Sequence, residues 1–206
     1  MNAAHRYRRG LAVAALAGAL ALGVASPAGA APARPVAASA TTVGYAQWMA
    51  DVSTAMAPAQ SYVAQRIASA APGAKLAIVL DLDNTALESY FYPTTYPTPA
   101  TPQVLALARY ASAHGVSVFA VTARPDIIDE VTEYNLDAVG YSVAGIYSRN
   151  PLQLFESYQA FKTGARKEIT ERGYDIVANI GNNTSDLAGG YADTTYKLPD
   201  YDGLLS

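Results

Sequence analysis

The sequence predicts an α/β protein in which a parallel sheet is flanked by helices. Short apolar runs at residues 76–80, 116–121 and 175–180 are each typical of a strand buried on both faces. Stretches with apolar residues at helical spacing separate these runs, so strands and helices alternate along the chain. A run as short as 76–80 is also compatible with a buried helix. We interpret it as the central strand, because Asp81 and Asp83 follow it and ligands bind at the carboxyl ends of such strands.

The N-terminal residues have the pattern of a secretory signal peptide. Arg6, Arg8 and Arg9 precede an apolar run at 11–24, and the small residues 28–30 follow it. We expect a signal peptide over 1–30, cleaved after Ala30, and a secreted, extracellular protein. The apolar run is shorter than the roughly 20 residues of a spanning helix, so a membrane anchor is the weaker alternative. The Arg pair leaves both the general and the twin-arginine export routes open.

The remainder of the chain divides into a leader and one domain. Residues 31–42 are rich in Ala and Pro without periodicity, which predicts a flexible leader. Residues 43–206 are long enough for a single domain with its own core. Without the first 30 residues the chain carries 11 basic and 17 acidic residues, a net charge near −6. The basic residues are scattered, so we expect no nucleic-acid polymer as a partner.

Missing residue types exclude several kinds of chemistry. The chain has no Cys, which excludes disulfides, a cysteine nucleophile and a lipid anchor on an N-terminal Cys. Beyond the predicted signal peptide, His114 is the single histidine, and it stands before Gly115 at a predicted helix end. This excludes a site built on several imidazoles and favours a capping role for His114. A covalent catalyst of this composition would need a carboxylate or a hydroxyl as its nucleophile.

The elements before the second strand are predicted from periodicity and from helix signals. Residues 45–70 have helical spacing interrupted at Pro58, which predicts an N-terminal segment of two short helices. Residues 86–100, the aromatic loop, combine four aromatic rings with three Pro and form no periodic pattern. Thr101 and Pro102 are typical of an N-cap and the first residue of a helix that runs to Gly115.

The second half of the chain continues the alternation. We predict a helix over 126–139 with Ile127, Val131 and Leu136 on its apolar face, and a strand over 142–147. A helical region follows over 152–172, in which we expect Arg166 and Lys167 to lie at the surface. Residues 195–198 are interpreted as a last strand.

Four short motifs carry the chemistry. The first is Asp-Leu-Asp-Asn-Thr at 81–85; alone it is compatible with an ordinary turn, whereas a calcium loop would need other residues at 85, 86 and 92. The second is Val-Thr-Ala-Arg at 121–124, the third is Lys162, and the fourth is Gly-Asn-Asn-Thr-Ser-Asp-Leu at 181–187. In this order they resemble the motifs of the haloacid dehalogenase (HAD) superfamily, most closely its secreted acid phosphatases. The resemblance covers about 75–198 and implies the Rossmann-like HAD fold with a minimal cap at 86–100.

The resemblance also implies roles for individual residues. Asp81 would be the nucleophile, and Asp83 would protonate the leaving oxygen and then help to activate water. Thr122, Ala123 and Lys162 would hold the transferring phosphoryl group of a small phosphate monoester. Mg²⁺ would be bound by Asp81, the Asp83 carbonyl, and Asn182 and Asp186 of the acidic loop, residues 181–190. Further candidate substrate contacts are Arg124, Tyr90 and Tyr92; the rings could equally fill space beside the core, and Arg124 could pair with Asp126.

Asn182 is the one departure from the family pattern, since the fourth motif usually begins Gly-Asp. A neutral amide in that position predicts weak Mg²⁺ binding, and Asn182→Asp would then strengthen it. Asn182 also begins a formal glycosylation sequon, which we discount because a glycan would block the loop. The expected activity is that of a secreted, Mg²⁺-dependent phosphoric monoester hydrolase. Two alternatives stay open: a non-catalytic secreted binding or storage protein on the same fold, and a phosphotransferase that uses an alcohol as acceptor.

Overall fold

The computed structural model describes residues 42–206. The predicted signal peptide and the predicted leader up to residue 41 lie outside the described residues. The regular elements, in chain order, are α1 (Tyr45–Met56), α2 (Ala59–Ala68), β1 (Lys75–Leu80), α3 (Pro102–Ala113), β2 (Ser117–Pro125), α4 (Asp129–Val139), β3 (Gly145–Arg149), α5 (Tyr158–Glu171), β4 (Tyr174–Gly181), α6 (Thr184–Leu187) and β5 (Thr195–Lys197). No helix in this part of the chain is long and apolar enough to span a membrane.

The five strands form one sheet in the order β3-β2-β1-β4-β5, and every neighbouring pair is parallel. The carboxyl ends of all strands therefore lie at the same edge. Because β1 is central, the loops that follow β1, β2 and β4 are adjacent at that edge. The prediction of an α/β protein with a parallel sheet flanked by helices is confirmed.

Helices cover both faces of the sheet, as the alternation of side chains along β1 requires. Ile78 and Leu80 belong to a core cluster with residues of α1, α2 and α3, whereas Ala77 and Val79 belong to a second cluster with residues of α5. All four side chains are buried. Burial of an aliphatic side chain of this kind typically contributes about 1.5–3 kcal/mol. The strand is thus held on both sides, as its continuous apolar sequence predicts.

The N-terminal helical segment is also confirmed. α1 ends at Met56 and α2 begins at Ala59, so Pro58 separates the helices as predicted. Trp48 on α1 is fully buried and lies 4.9 Å from the Phe91 ring, centroid to centroid. Phe91 of the aromatic loop therefore packs against α1.

The predicted start of α3 is confirmed, because Thr101 is the N-cap residue and Pro102 is the first residue of the helix. The Thr101 hydroxyl is buried and makes no hydrogen bond to any described residue. One local prediction fails. Ile127 and Val131 are 87 % and 54 % exposed, so they do not form the apolar face predicted for 126–139. A 3₁₀ turn over Asp126–Ile128 precedes α4, so Ile127 lies outside the α-helix, and Val131 and Leu136 are five residues apart and lie on different sides of it.

The buried face of α4 is instead partly polar. Asn135 is buried, and its amide both accepts from the Thr98 N–H at 2.8 Å and donates to the Thr98 carbonyl at 2.9 Å. These bonds attach the aromatic loop to α4. Periodicity of apolar residues could not reveal this face, because the contact that buries it is a hydrogen bond to a distant backbone.

The remaining boundaries differ from prediction by a few residues. β2 extends through Thr122 to Pro125, since Pro125 still pairs with Arg149 of β3. β3 starts at Gly145 rather than at residue 142. Both differences reflect pairing between strands, which single-strand patterns do not report.

Candidate active site

Asp81 lies directly after β1, in the middle of the edge where the loops meet. Its N–H donates to the Ile180 carbonyl at 2.9 Å, which continues the β1–β4 pairing by one residue. Asp81 is 6 % exposed, and its Oδ1 accepts a hydrogen bond from Lys162 Nζ at 2.6 Å. None of the residues from 42 to 206 donates to Oδ2. That oxygen is available to a ligand.

Lys162 lies between two buried carboxylates. Besides Asp81, its ammonium contacts Asp186 Oδ1 at 2.5 Å. The other oxygen of Asp186 accepts from the Asn183 N–H at 2.7 Å and so caps α6. Gly181 permits this arrangement, because a Cβ there would lie 2.6 Å from Asp186 Oδ2. Lys162, the third motif, thus connects Asp81 of the first motif to Asp186 of the fourth.

Asp83 is held by a different cation. Arg124 donates from Nη2 to Asp83 Oδ1 at 2.6 Å and from Nε to Oδ2 at 2.9 Å, a bidentate pair. Ser89 Oγ also donates to Oδ1 at 2.6 Å. The Asp83 side chain remains 44 % exposed, so the pair lies at the mouth of the site.

The pKa values of the two carboxylates shift in opposite directions. Burial raises the pKa of Asp81 to about 6, against the opposing charge of Lys162. Burial would also raise the pKa of Asp83, but the hydrogen bonds and charge of Arg124, with the bond from Ser89, outweigh it and hold that pKa below its ordinary value. Burial would lower the pKa of Lys162, yet the two neighbouring carboxylates raise it. Lys162 is therefore a permanent cation in the working pH range.

The predicted phosphate-binding residues lie at the end of β2, beside β1. Thr122 is 1 % exposed, and its Oγ1 accepts from the Arg124 N–H at 3.2 Å. Ala123 lies between these two residues and is partly exposed. Leu80 pairs with Ala120 across β1 and β2, so the two strands end side by side.

The candidate aromatic contacts differ in their surroundings. Tyr92 packs edge-on against Tyr45 at 6.1 Å between ring centroids. Tyr90 is 38 % exposed, and its N–H donates to Asn84 Oδ1 in the loop that carries the first motif. Of the two rings, Tyr90 has the more accessible face and lies closer in sequence to the carboxylates.

Arg166 is a functional candidate that sequence reasoning assigned wrongly to the surface. It is fully buried on α5, one turn after Lys162. Its guanidinium donates to the carbonyls of Asp186 at 2.5 Å and Gly190 at 2.9 Å, and also to that of Ala188. The spacing of four residues from Lys162 was the available signal, because residues i and i+4 lie on the same face of a helix. Lys167, in contrast, is exposed as predicted.

Asn182 is fully buried, and its amide orientation is defined by its partners. Nδ2 donates to the Leu205 carbonyl at 2.8 Å. Oδ1 accepts longer bonds from Asn183 Nδ2 at 3.2 Å and from Thr85 Oγ1 at 3.4 Å. The amide oxygen therefore points toward the loop of the first motif.

Comparison with known proteins agrees with this geometry. The sequence profile of the family described as HAD superfamily, subfamily IIIB (acid phosphatase), matches residues 8–204. The chain belongs to this family. The class C acid phosphatase from Bacillus anthracis has the same HAD fold, with a TM-score of 0.56 and 23 % identity over 71 % of this chain and 67 % of that one.

Two plant proteins are similar to this chain as well. Vegetative storage protein 1 from Arabidopsis thaliana is 27 % identical over 142 residues, which is 59 % of this chain and 53 % of that protein. The stem 28 kDa glycoprotein from Glycine max is 31 % identical over 106 residues, 50 % of this chain and 42 % of that protein. The chain spans about half the length of these curated relatives.

HAD phosphatases generally use Mg²⁺, so the oxygens around Asp81 are candidate ligands of this ion. Within residues 42–206, no three His, Cys, Asp or Glu side chains are grouped so that they could hold a metal. Both oxygens of Asp186 are engaged by Lys162 and Asn183, so its assignment as a ligand stays a prediction. Asp81 Oδ2 and the Asp83 carbonyl accept no hydrogen bond in this part of the chain. Together with Asn182 Oδ1, which accepts only the longer bonds from Thr85 and Asn183, these are hard oxygens of the type that Mg²⁺ prefers, and they stay the predicted ligands.

Proposed function

We propose that this HAD family member is a secreted, Mg²⁺-dependent phosphatase that hydrolyses small phosphate monoesters. The observation that carries the proposal is the pairing of Asp81 with Lys162. It leaves one carboxylate oxygen without a partner at the edge of the sheet, beside a buried cation. A nucleophile for phosphorus and a positive charge for the phosphoryl oxygens are thereby adjacent.

In the first step, Asp81 Oδ2 attacks phosphorus and the bond from phosphorus to the ester oxygen breaks. Asp83, which takes up a proton from solvent once its pair with Arg124 has opened, gives that proton to the departing oxygen, so the product alcohol leaves neutral. The Asp83–Arg124 ion pair has to open for this transfer, and a phosphate dianion competes directly for the same guanidinium. Substrate binding would thus release Asp83 for its role as acid.

In the second step, Asp83 accepts a proton from water, and the water oxygen attacks phosphorus of the aspartyl-phosphate. The bond between phosphorus and Asp81 breaks, which releases inorganic phosphate and restores the carboxylate. Lys162, Thr122 and the backbone at Ala123 are proposed to hold the phosphoryl oxygens throughout. Tyr90 and, at the rim, Tyr92 are proposed to contact the leaving group.

Mg²⁺ held by Asp81, the Asp83 carbonyl and Asn182 would supply Lewis-acid neutralisation of the phosphoryl oxygens. Two anions, Asp81 and the phosphate, otherwise approach each other with Lys162 as their main counter-charge. Secretion is supported by the signal-peptide pattern of residues 1–30 and by the glycoprotein name of the Glycine max relative.

Turnover of p-nitrophenyl phosphate and of alkyl and nucleoside monophosphates, with and without Mg²⁺, tests the proposal. We expect Mg²⁺-dependent phosphate release by the wild type and a loss of several orders of magnitude in Asp81→Asn. The variant should keep its circular dichroism spectrum, because the amide has nearly the shape of the carboxylate. Activity of Asp81→Asn equal to that of the wild type would eliminate this mechanism. Added alcohol distinguishes a phosphotransferase, which would form the alcohol's phosphate ester.

A storage or binding role is the second candidate. The name of the Arabidopsis thaliana relative, a vegetative storage protein, and the amide at residue 182 both favour it. It predicts no turnover of any monoester by the wild type, with or without Mg²⁺. The same assay therefore separates the two functions.

A further inference from the structure

One backbone carbonyl joins two loops of the candidate active site. The Leu205 oxygen accepts from Asn84 Nδ2 at 2.7 Å and from Asn182 Nδ2 at 2.8 Å. Asn84 belongs to the loop after β1 and Asn182 to the loop after β4. Both side chains are buried, at 7 % and 0 % exposure. The carbonyl thus satisfies two buried amides that come from the loops after two neighbouring strands.

The segment that provides this carbonyl, residues 200–206, is attached at several points. The Leu205 side chain is 1 % exposed within the core, and its N–H donates to the Asp200 carbonyl at 3.1 Å. Tyr201 donates from its hydroxyl to Asp51 Oδ2 on α1 at 2.6 Å. The position of the Leu205 oxygen is therefore determined by the fold and not by the two amides alone.

Each asparagine uses its other amide atom within the active-site loops. Asn84 Oδ1 accepts from the Tyr90 N–H at 2.7 Å, and its backbone has a φ of 56°, a left-handed conformation that Asn tolerates. Asn182 Oδ1 points toward Thr85 because Nδ2 is bound to Leu205. Loss of the Leu205 bond would free both amides to rotate and leave buried donors without partners.

We propose that the Leu205 carbonyl is a positioning group for the active site. It holds the loop with Asp81 and Asp83 at a set distance from the loop with Asn182, and residue 182 is an amide because it has to donate this bond. The catalytic consequence rests on the proposed function; the structural coupling does not.

Charge alone predicts that Asn182→Asp strengthens Mg²⁺ binding. The Leu205 bond predicts that the same substitution also has a structural cost. A carboxylate has only acceptor oxygens, so Asn182→Asp would set one of them against the Leu205 carbonyl, where a hydrogen bond existed. In the metal-free protein the substitution should therefore weaken the attachment of residues 200–206. A residue that acted only as a weak metal ligand would show no such change in the absence of metal.

Amide hydrogen exchange in EDTA provides a test that does not need activity. We expect exchange at Leu204, Leu205 and Ser206 to accelerate about tenfold in Asn182→Asp and in Asn182→Ala, equivalent to about 1.4 kcal/mol. Ser206→Ala is the matched control, since it removes only the bond from Ser206 Oγ to Asn183 Oδ1. Exchange at Leu205 in both Asn182 variants equal to that of the wild type would overturn the proposal.

A second pair of variants tests the effect on the reaction. Leu205→Ala loosens the residue that carries the carbonyl, whereas Leu204→Ala alters a partly buried neighbour at the edge of the same core cluster. We expect kcat to fall about tenfold in Leu205→Ala with KM within twofold, and both constants to stay near wild type in Leu204→Ala. Equal kinetic constants in the two variants would contradict a positioning role.

Failure of the proposed phosphatase function and failure of the positioning role would give different results. A wild type without phosphatase activity would refute the proposed function, while hydrogen exchange would still report whether Leu205 holds Asn182. An active wild type with unchanged exchange in the Asn182 variants would refute the positioning role alone.

Discussion

Lys162 determines the charge balance of the site at the scale of single residues. Its ammonium contacts Asp81 at 2.6 Å and Asp186 at 2.5 Å, and all three side chains are at least nine-tenths buried. Two carboxylates and one ammonium leave a net charge of about −1 in a poorly solvated region. Removal of the ammonium would leave two buried carboxylates without the cation that they share, which is strongly destabilising. Lys162 thus supports the fold as well as the proposed phosphate site.

At the same scale, Asp83→Asn separates the proposed acid from the nucleophile. We expect turnover of alkyl phosphates to fall by about 10² to 10⁴, because their leaving oxygen needs a proton. Turnover of p-nitrophenyl phosphate should fall much less, since nitrophenolate leaves without one. Steady-state rates on both ester types provide the measurement.

Ser89→Ala is the control for this substitution. It removes the bond from Ser89 Oγ to Asp83 Oδ1 but keeps the carboxylate and its pair with Arg124. Its losses should be small and similar on both esters. If Asp83→Asn also lost turnover to a similar extent on both esters, Asp83 would not be the general acid.

At the scale of elements, α5 couples the core to the site. Phe161, Ala165 and Ile169 pack in the cluster on one face of the sheet. Lys162 and Arg166, which follow Phe161 and Ala165 in the sequence, are directed into the acidic loop by the same helix orientation. Packing of the apolar residues thus sets where the two cations lie.

Arg166→Lys tests the contribution of the guanidinium to the acidic loop. A lysine has a single ammonium and cannot reach the carbonyls of Asp186, Ala188 and Gly190 together. Buried acceptors left without partners cost about 1–3 kcal/mol each, so we expect the free energy of unfolding to fall by about 2–4 kcal/mol. Urea denaturation followed by circular dichroism measures this change.

The neighbouring Lys167→Ala is a matched control on the same helix. Lys167 pairs with Glu171 at 3.0 Å, and both side chains are more than half exposed. Loss of such a surface pair changes stability by less than about 1 kcal/mol. If Arg166→Lys were no less stable than Lys167→Ala, the guanidinium would not hold the loop.

At the scale of the whole molecule, the N-terminal helices are attached to the site by an aromatic contact and a buried carboxyl. Glu88 is 2 % exposed, and both its oxygens lie within 3.2 Å of the Tyr45 hydroxyl on α1. Burial raises the pKa of Glu88, with the Tyr45 bond opposing. Folding therefore favours the protonated form. The resulting stability is present below the pKa of the unfolded chain and is lost as pH rises through that of the folded one.

Glu88→Gln should accordingly gain stability relative to the wild type as pH rises. The amide keeps the shape and the acceptor for Tyr45 but does not ionise on burial. We expect the difference in melting temperature, variant minus wild type, to increase from pH 4 to pH 8, as measured by calorimetry at both pH values. A difference that does not change with pH would show that the pKa of Glu88 is the same in the folded and the unfolded chain.

The stability of Tyr45→Phe relative to the wild type should change with pH in the opposite direction. It removes the donor that stabilises the Glu88 carboxylate, so its destabilisation should be larger at pH 8 than at pH 4. The two variants alter the same contact from its two ends, which makes each the control for the other.

The sequence alone determined the features that depend on local pattern. Continuous apolar runs predicted strands buried on two faces, and the position of Asp81 after the first run predicted a site at the carboxyl end of the sheet. Helix signals located α1, α2, α3 and α5 to within a few residues. Lys162 was identified through its motif, since nothing in its neighbours marks it as buried.

Only the tertiary structure decided which polar groups meet. Arg166 is buried because three carbonyls of a loop at least 20 residues away surround it, and Asn135 because it binds the backbone of Thr98. The Leu205 carbonyl lies 121 residues from Asn84 in the sequence, yet it fixes the orientation of that amide. Hydropathy periodicity reports which face of an element avoids water. A hydrogen bond between distant segments satisfies a polar group without changing that periodicity, so such contacts become visible only once the chain has folded.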